Sequence, residues 1–347
     1  MIVEVPCRRR SPDFPENGMA DTKTCRMDSR RIRTLRLAIL IAAVAGLPGC
    51  VASTSVGYGP AEAGLTLGPA VRTEPTTFAV VDARGDADKR VHVGSFQIEV
   101  EGGTDELVWL GENVEKVLSE TGIDLRRVAP DQADLLLRVR RLRIRNRDGG
   151  PYHTFTTFRG DLVDKEGTHP ITAYYKANQA VEFDYTPVSR NCYRYPLVAV
   201  ALEVAAKINR AAFRRGAPSS EVRRLADSLP PPYGIVGETT FLTVMRLGLS
   251  NNREAIPVLV ELAGREQWKD QGWLRAAAAS ALGTIGAATE FPLLRSMYEG
   301  DGNVSRLAAL KSIGDLGTSE ARAYLDQVRA SPSFRLEMIR EIVSLYD

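Results

Sequence analysis

The order of hydrophobic and polar positions changes twice along this chain of 347 residues. An arginine-rich stretch leads into an unbroken apolar run at 37–47. Strand-like alternation, interrupted by two helical patterns, follows over 71–215, and helical periodicity with a long repeat occupies 235–347. This order predicts a leader, an α+β region and an all-α region.

The first apolar run is too short to cross a bilayer, which takes about 20 apolar residues. It follows a basic stretch and ends in small residues, which is the layout of a signal peptide. The segment from Met27 to Gly49 also has the length of a typical signal peptide. We therefore expect 1–26 to be a mis-assigned start and 27–49 to be the signal peptide. The basic residues are Arg30, Arg31, Arg33 and Arg36.

The end of this segment, Leu47-Pro48-Gly49-Cys50, resembles the lipobox of bacterial lipoproteins. The resemblance implies that the Cys50 thiol takes a diacylglyceryl group, that cleavage occurs before it, and that the new amino terminus is acylated. Pro48 departs from the family pattern, which usually has Ala, Ser, Thr or Val there. In lipoproteins of enteric bacteria an Asp after the cysteine retains the protein in the inner membrane, so the resemblance implies that Val51 favours the outer membrane. The expected location is the cell envelope, on the periplasmic side of the outer membrane.

Charge and cysteine counts separate the leader from the rest. The first 50 residues hold nine of the 45 Lys and Arg and five of the 43 Asp and Glu, which leaves the remainder at a formal −2. This balance removes the main electrostatic argument for a nucleic-acid partner. Cys192 is the only cysteine after Cys50, so acylation of Cys50 leaves no pair for an intramolecular disulfide.

Residues 50–70 are rich in Gly, Ala, Ser and Pro and carry one charge, which predicts a flexible tether. The three glycines at 57, 59 and 64 lack the flanking strand and helix of a phosphate-binding loop. Beyond the tether, the α+β region 71–215 is predicted to be an antiparallel sheet with two helices on one face. Pro230-Pro231-Pro232 indicates a boundary, and 216–234 is interpreted as a linker.

The α+β region contains five strand patterns and two helix patterns. A bulge near Arg140-Arg141 is expected, because it would keep the apolar residues of the third strand on one face. The strands are predicted at Thr76–Asp82, Val91–Glu101, Ala133–Arg147, Tyr152–Val163 and Ile171–Tyr185, and the helices at Leu107–Leu118 and Leu197–Ala212.

This order resembles YajG-type envelope lipoproteins. The local points of likeness are Val80-Val81-Asp82-Ala83-Arg84, the helix at 107–118 and Ala133-Asp134-Leu135. The resemblance covers most of the α+β region and implies an envelope location rather than an activity.

A row of arginines lies along the third strand, and it has two interpretations. The first is a solvated strand face, or an edge protected against pairing with other strands. The second is a surface for anionic envelope material such as lipid or lipopolysaccharide phosphates. The row consists of Arg138, Arg140, Arg143, Arg145 and Arg147.

Other chemical groups in this region point to packing rather than catalysis. His92, His153 and His169 have no metal-ligand spacing, so neither a metal nor another cofactor is expected. Cys192 has no evident base nearby in sequence and is interpreted as a small buried residue. A group of tyrosines would pack on the sheet or, alternatively, line a ligand cleft: Tyr152, Tyr174, Tyr175, Tyr185, Tyr193 and Tyr195.

The region 235–347 contains a repeat, because the spacing from Arg275 to Arg306 equals the spacing from Gly286 to Gly317. A degraded earlier copy begins near Val244, and a closing helix is predicted at Arg335–Tyr346. The pattern resembles short bacterial HEAT repeats, which implies paired helices that stack and offer a surface to a protein partner. Trp268 and Trp273 would either anchor such a partner or pack beneath their loop.

The known catalytic patterns are missing: the chain has no Gly-x-Ser-x-Gly, Ser-x-x-Lys, His-Glu-x-x-His or P-loop. The leading hypothesis is a non-enzymatic, lipid-anchored envelope protein whose repeats dock a periplasmic or membrane protein. One alternative is an envelope polymer or lipid binder that acts through the basic strand 138–147. The other is a hydrolase with dispersed carboxylates, which would need a deep cleft holding two carboxyl groups.

Overall fold

The computed structural model describes residues 53–56, 58–69, 76–94, 97–100, 105–147, 152–179, 188–229, 238–265 and 272–347. The predicted mis-assigned start, the signal peptide and the lipidation site Cys50 lie outside these residues.

A sheet forms the first part of the described chain. Its spatial order is β5 (Leu125–Arg127), β2 (Thr76–Asp82), β6 (Leu135–Arg147), β7 (Tyr152–Asp164) and β8 (Gly167–Gln179). The short strand β3 (His92–Val93) pairs with the far end of β6. Two further strands, β1 (Ser53–Val56) and β4 (Gln97–Val100), form a separate parallel pair.

The sheet is mixed, and the prediction of an antiparallel sheet was wrong for its first half. β2 pairs in parallel with both β5 and β6. Helix α1 (Glu106–Glu120) lies between β2 and β6 in the chain, and parallel neighbours need such a crossover. β6, β7 and β8 are antiparallel, as predicted.

The predicted bulge in β6 is confirmed. The pairing of β6 with β7 shifts register between Val139 and Arg141. The extra residue returns the apolar side chains to one face, so that Leu137 and Leu142 are both fully buried.

The helices follow the sheet in the chain. α2 (Tyr195–Ile208) lies between the π-helical turns Ser189–Arg194 and Asn209–Phe213, and α3 (Ser219–Asp227) follows. Three helix pairs follow in the chain: α4 (Glu238–Leu249) and α5 (Ile256–Gly264), α6 (Gly272–Ile285) and α7 (Phe291–Gly300), and α8 (Asn303–Leu316) and α9 (Ser319–Ala330). The first helices α4, α6 and α8 pack on one another in that order. The closing helix α10 (Glu337–Val343) is shorter than predicted and has a 3-10 turn on each side.

Glycines set the repeat geometry in two ways. Gly286 (φ 74°) and Gly317 (φ 66°) follow α6 and α8 in the left-handed region, which glycine adopts without strain. Gly283 and Gly314 lie inside the same helices because neighbours approach closely. A Cβ at Gly283 would lie 2.8 Å from the Cβ of Ser312, and one at Gly314 would collide with the Tyr346 ring.

The sheet and the helical repeats share one hydrophobic core. α2 packs on β7 and β8 with one side and on α4 and α6 with another. Every residue of α2 from Pro196 to Ile208 is buried, as expected for a helix with apolar residues all round. The first helix of each repeat therefore faces the sheet region rather than solvent.

Residues 58–68 form an ordered strap, and the tether prediction was wrong for this stretch. The Ala61 N–H donates to Asn113 Oδ1 at 2.7 Å, and the Ala63 N–H donates to Glu120 Oε2 at 2.8 Å, both on α1. From α4, Arg246 Nε donates to the Ala63 carbonyl at 3.1 Å. The strap thus joins the sheet region to the first repeat. Its buried residues alternate strictly: Ala61, Ala63, Leu65 and Leu67.

Candidate functional site

The outer side of the helical array carries exposed charged side chains on each second helix. The second helices α5, α7 and α9 pack on the first helices with one side. Their other side carries exposed charges in ion pairs along each helix. Arg295 and Glu299 on α7 lie 2.9 Å apart, with side chains 50% and 51% exposed.

A shallow depression of about 500 Å³ lies on this side of α7. Pro292, the second residue of α7, lines the depression, and the Arg295–Glu299 ion pair lines it as well. The hydrogen bond from Arg295 lowers the pKa of Glu299, which keeps that carboxylate ionised. The depression thus offers one guanidinium and one carboxylate to a partner. Its lining consists of Pro292, Arg295, Ser296, Glu299 and Gly300.

Aromatic rings hold α7 and α9 in position beneath this surface. Tyr324 on α9 lies edge-on to Phe291 (5.7 Å between centroids) and Tyr298 (6.0 Å) on α7. The Arg295 guanidinium lies 5.2 Å from the centre of the Tyr324 ring, and the Tyr324 hydroxyl donates to Glu299 at 3.0 Å. The buried Tyr324 side chain therefore contacts both members of the exposed Arg295–Glu299 pair.

Arg275 ties the second repeat to the loop before the third. Its Nε lies 2.9 Å and its Nη2 2.8 Å from the two oxygens of Asp301, a two-point contact. Both side chains are only 6% exposed. Arg306, one repeat later, instead lies 4.9 Å from the centre of the Tyr298 ring. The repeated arginines therefore stabilise the array in two different ways.

The arginine row of β6 faces the C-terminal end of the chain. Arg143 pairs with Asp88, and Arg145 pairs with Glu337 on α10. Arg140 Nε lies 2.8 Å from Asp161 Oδ2 on β7. Arg138, Arg140 and Arg147 are exposed, whereas Arg143 and Arg145 are partly buried. The row is therefore divided between internal ion pairs and solvent.

Two further arginines, which the sequence analysis did not place in the row, complete this interface. Arg141 Nη1 donates to Ser344 Oγ at 3.0 Å, and Arg159 Nη1 on β7 donates to the Ser344 carbonyl at 2.9 Å. The Thr157 hydroxyl donates to Glu341 at 3.3 Å. A cleft of about 240 Å³ remains, lined by Arg141, Arg143, Arg145, Glu337, Arg340, Glu341 and Ser344. Carboxylates of the chain itself thus offset much of the positive charge.

Four charged side chains, here the buried quartet, meet where α2 packs on α8. Lys207 Nζ lies 2.8 Å from Glu203 Oε1 and 2.6 Å from Asp315 Oδ1. Lys311 Nζ lies 2.8 Å from Asp315 Oδ2 and also pairs with Glu203. All four side chains are at most 2% exposed. The quartet therefore has equal positive and negative charge and is closed to solvent.

Burial and mutual charge shift the pKa values of the quartet in opposite directions. Burial alone would raise the pKa of Asp315, but the charges of Lys207 and Lys311 hold it below its ordinary value. Burial lowers the pKa of Lys207 to about 8, against the opposing effect of Asp315. The Tyr175 hydroxyl donates to Glu203 at 2.8 Å and satisfies its second oxygen. The arrangement joins α2 to α8 through buried ion pairs.

Sequence reasoning missed the quartet, although a signal was present. Glu203 and Lys207 stand four residues apart within the apolar sequence of α2, and Lys311 and Asp315 have the same spacing in α8. Opposite charges at this spacing lie on one helix face. Two such pairs on apolar helices would have indicated that the faces meet.

The other candidate residues mainly take part in packing. Cys192 is fully buried, as expected, and burial raises the pKa of its thiol to about 12. Tyr152 and Tyr193 are buried with their hydroxyls in contact. Trp273 is partly buried, with its ring 6.3 Å from that of Phe241. Tyr185 and Trp268 lie outside the described residues.

His92 has a specific environment that the sequence did not indicate. Its Nε2 lies 3.0 Å from the Tyr58 hydroxyl and 2.8 Å from Glu106 Oε1.

In the described ranges, no three His, Cys, Asp or Glu side chains are placed to hold a metal ion. Within the same ranges, no helix is both long enough and apolar enough to cross a membrane.

Comparison with known families matches residues 240–314 to HEAT repeats. The matched residues span α4 to α7 and most of α8, and they agree with the predicted order of a sheet region followed by an all-helical region with HEAT-like repeats. Among solved structures, the chain is similar to the crystal structure of protein XCC0632 from Xanthomonas campestris, of the family DUF330. The identity is 12%, over 44% of this chain and 92% of that chain, and the TM-score is 0.31. A search of curated proteins finds no match.

Proposed function

We propose that this is a non-enzymatic, lipid-anchored protein of the bacterial cell envelope, and that the outer side of its HEAT repeats docks a periplasmic or membrane protein. The observation that carries the docking is the array of second helices, whose packed side is fixed and whose charged side is exposed. HEAT repeats are in general protein-interaction modules with extended binding surfaces. The first helices are covered by α2 and β8, which leaves the outer side for a partner.

The proposed anchor is supported by the sequence of residues 27–50. The basic stretch, the short apolar run and Leu47-Pro48-Gly49-Cys50 together favour lipid attachment at Cys50. Acyl chains on one residue would hold the protein at the membrane stably, since two membrane signals suffice. The outer membrane, periplasmic side, is the proposed location.

The ion pairs of β6 make binding of an anionic ligand to its arginines less favourable. Arg143 and Arg145 are already paired with Asp88 and Glu337, so an anionic polymer would have to displace internal carboxylates. Displacement would expose a carboxylate for each arginine captured, which limits the net gain. We therefore propose docking through the repeats rather than through β6.

The anchor is tested by comparing the wild-type protein with the Cys50→Ala variant in the native host. We expect the wild-type protein to begin at Cys50, to carry acyl chains by intact mass and to fractionate with the envelope. The variant should lack the added mass. If both proteins have the same mass and fractionate alike, the anchor is wrong.

The docking surface is tested by photo-crosslinking from two exposed positions. Benzoylphenylalanine at Ser296, in the depression on α7, should give one discrete protein adduct in the envelope fraction. The same residue at Lys165, in the turn between β7 and β8, is the control. The adduct should disappear when the pair is reversed by Arg295→Glu with Glu299→Arg. Equal adducts from Lys165, or no effect of the reversal, would refute docking at this surface.

A further inference from the structure

The described chain begins three residues after Cys50. β1 starts at Ser53, and three residues span at most about 11 Å. β1 is held in place by parallel pairing with β4, from Ser53 with Gln97 to Val56 with Val100. The length of chain alone therefore limits the distance between Cys50 and the first residue of β1 to about 11 Å.

The residues after β1 are also held firmly. The Tyr58 ring lies 5.7 Å from the Trp109 ring, and its hydroxyl lies 3.0 Å from His92 Nε2. Burial raises the pKa of Tyr58 well above its ordinary value, so the hydroxyl stays protonated. The strap then continues across α1 and α4. β1 is thus held by its pairing with β4, and the segment from Tyr58 onwards is held by α1 and α4.

A basic turn lies beside β1. The π-helical turn Ser189–Arg194 contacts β1. It carries Arg190, which is exposed and lies 5.9 Å from the centre of the Tyr195 ring. Arg194 is partly exposed and covers the backbone of Gly59, where an added Cβ would collide with its guanidinium. Among the residues that the structure describes, neither arginine has a carboxylate partner.

We propose that the surface formed by the start of β1 and this π-helical turn faces the membrane, and that Arg190 and Arg194 bind the phosphates of anionic lipid headgroups. The proposal rests on the lipid anchor proposed above, since the anchor brings Ser53 within about 11 Å of the headgroup layer. A guanidinium offers a planar pair of donors that matches a phosphate. Tyrosine residues are enriched at the membrane–water interface, and Tyr195 lies beside Arg190.

The two arginines differ from those of β6 in what binding would cost. Arg143 and Arg145 would have to leave a carboxylate, whereas Arg190 and Arg194 have none to leave among the described residues. Each basic residue near an anionic surface is worth roughly fivefold in membrane affinity. The surface would therefore orient the anchored protein, with the charged outer side of the HEAT repeats left for protein partners.

The test uses the full-length chain in its native host, with benzoylphenylalanine at Arg190 or, as control, at Asp326 on the outer side of α9. After irradiation, intact mass reports both acylation at Cys50 and phospholipid adducts. We expect acylated protein with a phospholipid adduct from position 190 and not from position 326. Acylated protein without an adduct at 190, or with equal adducts at both positions, overturns the proposed surface and leaves the anchor standing. Protein without acyl chains overturns both.

The role of charge is tested on the same purified, acylated protein in vesicles. Adduct yield from position 190 should rise several-fold when phosphatidylglycerol is added to phosphatidylcholine. Arg194→Gln should lower the yield in the mixed vesicles by about fivefold. The matched variant Arg138→Gln, an exposed arginine on β6, should leave it unchanged. Equal yields in both vesicles, or equal effects of the two variants, would overturn headgroup binding.

Discussion

The buried quartet predicts that the loss of one charge will destabilise the whole protein. Lys311→Met removes the ammonium that lies 2.8 Å from Asp315 and also pairs with Glu203. Two carboxylates then share Lys207 in a site whose side chains are at most 2% exposed. Breaking a buried pair by removing one partner costs about 3–5 kcal/mol. That is a large fraction of a typical stability of about 5–15 kcal/mol.

The assay is urea and thermal unfolding followed by circular dichroism. A loss of this size should lower the Tm by roughly 6–15 °C. The matched control is Lys89→Met, because Lys89 lies 2.8 Å from Asp86 but both side chains are more than half exposed. Exposed pairs contribute about 0–1 kcal/mol, so the control should change little. Equal effects of the two variants would refute the reasoning.

A double variant separates the lost charge from the lost packing. Glu203→Gln combined with Lys311→Met removes one charge of each sign and leaves the Lys207–Asp315 contact of 2.6 Å. Replacing both partners of a buried pair is often close to neutral. We expect the double variant to regain at least half of the stability lost in Lys311→Met. If the two losses simply add, the quartet is not an electrostatic unit.

Three other predictions follow from single features of the fold. Gly283→Ala should lower the unfolding free energy by about 1–3 kcal/mol, because its Cβ would meet the backbone of α8, whereas Gly300→Ala, which meets nothing within 4 Å, should not destabilise; thermal melts decide between them. The amides of Ala61 and Ala63 should be protected in hydrogen exchange, since both are bonded to α1, and exchange at the rate of a free peptide would restore the flexible tether. The pKa of Asp315 is held low in the folded state, so its contribution to the free energy of unfolding is present above about pH 4 and is lost as the pH falls further. The urea midpoint of Asp315→Asn should therefore depend less on pH than that of wild type between about pH 5 and pH 2. Parallel curves for the two proteins would contradict this.

Local patterns predicted those elements whose formation depends on nearby residues. The bulge at Arg141 followed from a slip in alternation, and the HEAT pairs followed from a long repeat in which glycines end the first helices. Gly283 is different, because its place inside a helix is explained only by the close approach of the α8 backbone. The slip in alternation and the helix-ending glycines lie within or directly beside the elements that they predict, so those two predictions needed no tertiary contact.

The candidate surfaces needed contacts between residues far apart in the chain. In the sequence, Arg143 and Arg145 belong to a basic row, and only the tertiary structure pairs them with Asp88 and Glu337. The sequence of the strap predicts a tether because its apolar residues are few and mostly small. Only its contacts with α1 and α4 bury those residues in the core.

The sequence by itself determined the sheet-then-repeat order, the bulge in β6, the HEAT repeat pattern and the proposal of an anchor at Cys50, because periodicity and glycine positions act locally. The tertiary structure alone decided that β2 and β6 are parallel, that α2 fills the inner side of the repeats, and that the buried quartet joins α2 to α8. The physical reason is that a charge, or a short apolar segment, takes its role from what lies opposite it. Lys207 and Asp315 stand far apart in the chain and meet at 2.6 Å only after both regions have packed.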